Sequence, residues 1–322
     1  MSAVTDQFAV PSAPVRKTPM GTFDLIFRNA SFLAALFVLV LLAGIMLSMV
    51  VGGWPAFREF GFGFITSSVW DTQNEQYGAW PAIVGTLSTA LIALVVGVPL
   101  SLGIAVFLTQ LAPPWFKQPV STAIELLAAV PSIIYGMWGL FVFAPLFAAY
   151  VQIPLSNIVE GMPIIGTVLY SRSPSGLGIL TAGIILAFMI IPFIASITRD
   201  MLDQIPSVLR ESAYGIGATT WEVVRHVLVP QAGVSIIGAI MLGLGRALGE
   251  TMAVTFVVGN ANRLSSSVMD PGSTIASRIA NEFNEALGLQ LNSLIALGCI
   301  LFFVTFVVLV IARLLVARVK RY

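Results

Sequence analysis

The stretch GLGRALGETMAV, Gly243 to Val254, sets an arginine and a glutamate into an otherwise apolar run. Arg246 lies midway between Pro230 and Arg263, the residues that bound the run, so a membrane-spanning helix would hold its guanidinium near the bilayer centre. An arginine at that depth costs about 2.5–3.5 kcal/mol on insertion scales. A spacing of four puts Glu250 on the same helical face, one turn along and within reach of a salt bridge. Two readings follow. In one, a buried ion pair glues helices together, aided by the small residues Gly245 and Gly249 in a G-x3-G arrangement. In the other, Arg246 lines a transport path and meets an anion, with Glu250 orienting it. Buried ion pairs stabilise little compared with apolar replacements, which favours the second reading. A guanidinium is also a planar fork matched to tetrahedral oxyanions. Other chemistry lacks its parts. The one histidine, His226, lies on the far side of Pro230 and leaves no base within the apolar runs for an intramembrane hydrolase. The one cysteine, Cys299, excludes a disulfide framework or a cysteine-built metal site.

The element that must position Arg246 is a membrane helix, and the composition demands several more. Of 322 residues 57% are apolar and only 10% charged, against roughly 25% charged in an ordinary soluble domain. Mean hydropathy is +0.95. The formal charge of +1 signals no nucleic-acid surface. Charge-free runs long enough to cross about 30 Å of hydrocarbon predict six spans, at roughly 31–51, 83–109, 124–148, 177–198, 232–258 and 288–312. The fold class expected is an all-α integral membrane protein, with residues 1–28 as a disordered cytoplasmic tail and 29–322 as one transmembrane domain. The first span reads as a retained signal anchor, because no small-residue cleavage site follows it. Pro131, Pro145 and Pro192 are expected to kink their helices, and Glu125 to sit solvated at the inner end of the third span.

Basic residues set the orientation. With both termini cytoplasmic, eleven Lys and Arg lie inside and four, Arg58, Arg172, Arg263 and Arg278, lie outside. The chain is therefore expected to be a multi-pass membrane protein with both termini cytoplasmic. On that topology the longest patterned inner loop is about 199–231, including DQIPSVLRESAYGIGATTWEVVRHVLVPQ from Asp203 to Gln231. Pro206 suits a first helical turn, and Gly215 and Gly217 punctuate the middle, so two short helices should meet near Gly217. The small residues around them let another surface approach the backbone. An amphipathic helix on the inner leaflet would carry more Lys and Arg on its polar face.

Glu211-Ser212-Ala213, then Gly217, then Val227-Leu228-Val229-Pro230 resembles the EAA motif, E-A-A-x3-G-x9-I-x-L-P, of ABC importer permeases. Ser212, Val227 and Val229 depart from it conservatively. RALGETMAV after such a loop, Ile124–Val142 and Phe60–Leu87 further resemble the C-type permease branch of phosphate ABC importers, over about residue 24 to the C-terminus. The resemblance implies a type I importer (MetI-like) fold. It also implies a coupling role toward a separate ATPase for Glu211, Ala213, Gly217 and Pro230, and a substrate-path role for Arg246 and Glu250. By the same resemblance the partners are a related A-type permease, two ATPase subunits and an extracytoplasmic phosphate-binding protein, all around a lipid bilayer. The sequence has no G-x4-G-K-[ST] phosphate loop, so ATP and magnesium belong to the partner ATPase and this chain is expected to bind no cofactor and catalyse nothing. Two transport alternatives stand beside phosphate import: an importer of another oxyanion such as sulfate or molybdate, and a stand-alone secondary transporter. The second predicts inverted repeats and several paired intramembrane acids, and Glu250 is the only deep carboxylate.

Overall fold

A computed structural model describes residues 21–163, 165–172 and 174–319, with side chains through Leu314. The tail expected at 1–20 lies outside the described residues. Helix α1 runs from Thr22 to Phe60, so residues 22–28, assigned to the tail from composition, are helical. Chain contacts divide α1 at Ser48–Met49. The unit up to Ser48 is, over its described residues, one helical stretch rich in Phe, Leu and Val.

The unit from Met49 onward contains everything else. After α1 come α2 (Gly63–Thr66) and a hairpin of β1 (Trp70–Asp71) paired antiparallel with β2 (Gln76–Tyr77). The Asp71 carboxylate closes that turn by accepting from the backbone N–H of Gln73 at 2.8 Å and the side chain of Asn74. Then follow α3 (Trp80–Val106), α4 (Pro114–Ala129), α5 (Ser132–Trp138), α6 (Ala144–Phe147), α7 (Ile153–Val159), α8 (Ile165–Leu169) and α9 (Ile179–Asp203). The chain closes with α10 (Ser207–Gly215), α11 (Thr220–Val223), α12 (Val229–Leu248), α13 (Met252–Val257), α14 (Ile275–Glu282) and α15 (Gly288–Val319). Among the described residues six helical stretches are long and apolar enough to cross a membrane, at Thr22–Phe60, Trp80–Leu111, Ser132–Val159, Ile179–Asp203, Thr220–Leu248 and Gly288–Leu314. The number agrees with the sequence. The third has moved: it begins at Ser132 rather than 124, because Val130 and Pro131 are extended and end α4. It continues to Val159, where the sequence suggested a loop.

Local chemistry explains the helix irregularities. Four π-helical turns, at 107–111, 139–143, 148–152 and 224–228, each end two residues before a proline: Pro113, Pro145, Pro154 and Pro230. At Pro145, Pro154 and Pro230 the proline continues the helix, where it removes a donor and its ring crowds the preceding turn, and a widened i→i+5 turn relieves both; Pro113 is extended and lies beyond the helix end. The core lies where α3 and α9 cross with little between them. Gly97 meets Ile190, and a Cβ on Gly183 would fall 2.6 Å from the Cβ of Ile92. Ala90, Ala93, Ala182 and Ala187 line the same seam, and α12 and α13 complete the cluster. Small residues at crossings are what close contact between helices requires when lipid supplies no hydrophobic drive.

Candidate functional site

The fifth apolar run is not one helix. α12 stops at Leu248, residues 249–251 are non-helical, and α13 restarts at Met252. Gly249 and Glu250 donate only long bonds, to Gly245 O at 3.3 Å and Ala247 O at 3.5 Å. Glu250 then turns into the restart, and its Oε1 accepts from the Ala253 N–H at 3.2 Å, capping a free donor of α13. The salt bridge expected between Arg246 and Glu250 is therefore absent. Four residues share a face only while the helix continues, and here it ends between them.

Arg246 sits in the last turn of α12, half-buried. Its guanidinium carbon lies 5.6 Å from the Phe193 ring centroid on α9, close enough for a cation–π contact. Its Nε is buried and has no hydrogen-bond partner. The G-x3-G pair does not seat a neighbour. Nothing lies within 4 Å of a Cβ built on Gly245, and the nearest atom to one on Gly249 is the Gly245 carbonyl at 3.6 Å. Tight packing occurs on other positions of these helices: Gly243 against Ile194, and Gly136 of α5 against the Ala253 backbone. Within this chain Gly245 and Gly249 thus meet no neighbouring helix, and the helix-glue reading loses the small-residue contact it invoked.

The loop after α9 is a fixed corner. α10 ends on Gly217, whose φ of +92° is the left-handed region that glycine enters without strain. Gly217 N–H donates to Tyr214 O at 2.9 Å and Ala218 N–H to Ala213 O at 3.1 Å, the two bonds of a Schellman motif. Two residues on, Thr219 and Glu222 cap each other's backbone N–H groups and start α11. Beneath, Ala213 and Ala218 pack on a cluster of Leu202, Ile205, Val223, Val224 and Leu228. Above, Glu211, Tyr214, Gly217 and Trp221 are exposed, and Ile216 is 88% exposed. Pro230 lies just past the π turn at 224–228, in the first turn of α12. The corner spends its backbone groups on itself and presents side chains outward.

The profile of the family "Binding-protein-dependent transport system inner membrane component" matches residues 97–321. The chain belongs to this family. The permease is 54% identical over 298 residues to a phosphate transport system permease protein PstC of Pasteurella multocida, covering 92% of this chain and 93% of that one. Against the protein of the same name from Mesorhizobium japonicum the figures are 52% over 326 residues, 99% and 98%. PstC 1 of Mycobacterium tuberculosis is 35% identical over 275 residues, 83% and 80%. A bacterial alginate ABC transporter, crystallised with an alginate-bound periplasmic protein, contains a chain of similar fold. It has a TM-score of 0.61 and 16% identity, and the match covers 92% of this chain and 98% of that one. The fold is thus that of an ABC importer permease subunit.

Two polar clusters of the permease escaped the sequence. Glu125, expected in solvated isolation, belongs to α4 and accepts from Arg199 Nη2 at 2.8 Å. Arg199 is 9% exposed and also pairs with Asp200. Opposite charges at the ends of neighbouring apolar runs were the available signal. At the other end of the bundle Arg278, 3% exposed, stacks 4.6 Å from the Trp70 ring and donates to Ser273. Glu282 receives Trp70 Nε1 at 2.9 Å and Gln290 Nε2 at 3.1 Å. Burial pushes the Arg278 guanidinium down to about 10, against the opposing pull of Glu282. It stays charged at neutral pH and ties the hairpin to α14.

Proposed function

We propose that this permease subunit forms half of the translocation path of an ATP-driven importer of inorganic phosphate, and that Arg246 is the group in that path which meets the anion. The observation that carries the reading is the buried, unpartnered Arg246 Nε beside a helix break whose glycines face open space. A guanidinium with a donor to spare offers a tetrahedral oxyanion a directional and reversible contact. One such contact keeps binding weak, as release on the far side requires. Irregular backbone at membrane depth is tolerated where it lines a cavity, which suits the break at 249–251. Glu250 holds the restart of α13 and so fixes the width of the gap beside Arg246. The PstC relatives, named for phosphate transport, support the choice of cargo.

The rest of the assembly follows the same reading. Both termini lie in the cytoplasm of a bacterial inner membrane, by the excess of Lys and Arg on that side. The corner at 207–219 docks a separate ATPase through Ile216, Tyr214 and Trp221, with Glu211 at its edge. Ala213, Gly217 and Pro230 hold the corner in shape. An A-type permease completes the path, two ATPase copies bind and hydrolyse ATP with magnesium, and a phosphate-binding protein delivers from outside. This chain itself performs no catalysis and binds no cofactor. In the cycle, nucleotide closes the ATPase pair, the corner moves, the path opens outward to receive phosphate, and hydrolysis returns it inward.

The test is ATP-driven phosphate uptake by the reconstituted complex with Arg246→Gln. Loss of a charged donor to a developing or passing anion is worth roughly a hundredfold or more, so uptake should fall by about that factor with assembly intact. Uptake equal to that of the unmodified complex would reject the role.

A further inference from the structure

α4 is attached to the bundle differently from every long helix around it. It lies between two extended proline joints, Ala112-Pro113 and Val130-Pro131, and none of its residues is buried. α9, against which it packs, buries fifteen. The side-chain bonds of α4 to α9 are ion pairs. Lys117 Nζ contacts both carboxylate oxygens of Asp203, at 2.9 and 3.0 Å. Arg199 Nη2 reaches Glu125 Oε1 at 2.8 Å. Both helices carry the cation before the anion in chain order, so the two pairs form together only when α4 and α9 run antiparallel. A cavity of about 470 Å³ runs along this seam, lined by Gln118, Ser121 and Thr122 among others.

The seam is also incompletely bonded. Of six buried side-chain polar atoms without a partner among the described residues, four lie on α4, on α9 and in the π turn that follows α3: Ser121 Oγ, Thr198 Oγ1, Arg199 Nη1 and Gln110 Nε2. Buried polar groups are ordinarily satisfied, and a concentration of spare donors and acceptors suits an interface that exchanges partners. Its position matters too. Leu202 and Ile205, at the clamped end of α9, pack in the same cluster as Val223 and Leu228 of the corner. At the other end of α4, Tyr135 Oη on α5 reaches back across the proline joint to Leu127 O at 3.0 Å. α5 in turn meets α13 where Gly136 abuts Ala253, just beyond Glu250.

We propose that Lys117 and Arg199 are gating residues. Their ion pairs with Asp203 and Glu125 clamp α4 to α9, and the clamp opens and closes in each transport cycle, linking the corner to the Arg246 gap. The inference rests on the transporter reading but not on its cargo. Its test uses the full permease–ATPase complex with Gln118→Cys and Gln204→Cys, which neighbour the Lys117–Asp203 pair in sequence and leave it intact, in a Cys299→Ser background, and a short thiol-reactive bis-methanethiosulfonate. The rate of cross-linking between the two cysteines is compared in the resting complex and in one trapped with ATP and vanadate. A change of roughly tenfold or more, equivalent to about 1.4 kcal/mol between the two states, is expected. Equal rates would overturn the clamp. Phosphate uptake by the unmodified complex is measured alongside. A changed rate without phosphate uptake would keep the clamp and reject the cargo.

Discussion

The chain interrupts its helices twice between Ser207 and Val257, and the two interruptions are built on opposite principles. At 216–219 the backbone closes on itself: a Schellman pair ends α10, a capping box starts α11, and an apolar cluster supports both. At 249–251 closure is partial. One glutamate caps the restart, Gly249 and Glu250 hold long bonds, and Arg246 keeps a buried donor unused. The first leaves only side chains exposed, and on the reading proposed above it is a shape for the ATPase to fit. On the same reading the second is where a small anion completes the bonding, so that a rigid corner transmits force and an unfinished site exchanges ligand.

Substitutions can break the comparison, the largest effect first. Arg246→Gln should lower uptake by about a hundredfold with ATPase docking unchanged, because only the gap is touched. Gly217→Val puts a β-branched residue at φ +92°, a conformation costing an L-residue about 1–2 kcal/mol. It should weaken ATPase co-purification by roughly tenfold while leaving α12 and α13 in place, as read by hydrogen exchange. Thr219→Ala removes half the capping box and should cost about 1 kcal/mol locally, seen as faster exchange of the α11 amides. Gly245→Ala should change stability least, by about 0.5 kcal/mol or less, because its Cβ would meet open space. Gly53→Ala is the counter-case: its Cβ would fall 2.9 Å from the Ala296 backbone, an overpacking worth about 1–3 kcal/mol. If Gly245→Ala were instead the more damaging of the two by thermal unfolding, the space beside Arg246 would not be open.

Most of the fold was legible because charge-free runs report membrane spans directly, and the Gly217 corner because Pro206 and the glycines are local signals with local causes; the Thr219–Glu222 capping box emerged only from the structure. Three features were not legible. α4 was hidden because Pro131 reads equally well as a kink or an end, and Val130 becoming extended decides it. The third span reaches Val159 because Gln152, a polar residue that suggests a loop, is buried and bonded to Met269 O and Gly176 N. The Arg246–Glu250 pair was drawn from helical spacing, which holds only in a continuous helix, and Gly249-Glu250-Thr251 carries no proline to announce the break. The residues at the gap could be named from sequence, but not their separation. Arg199 with Glu125, and Trp70 with Arg278 and Glu282, show the same limit: groups far apart in the chain become partners only through packing.

The central claim is that passing phosphate completes the bonding of Arg246. The most direct measurement is a density map of the assembled complex trapped with phosphate in the path. The account predicts a tetrahedral anion within hydrogen-bond distance of the Arg246 guanidinium, beside the break at 249–251. A map with phosphate elsewhere in the path, and Arg246 packed against Phe193 away from any water-filled space, would contradict it.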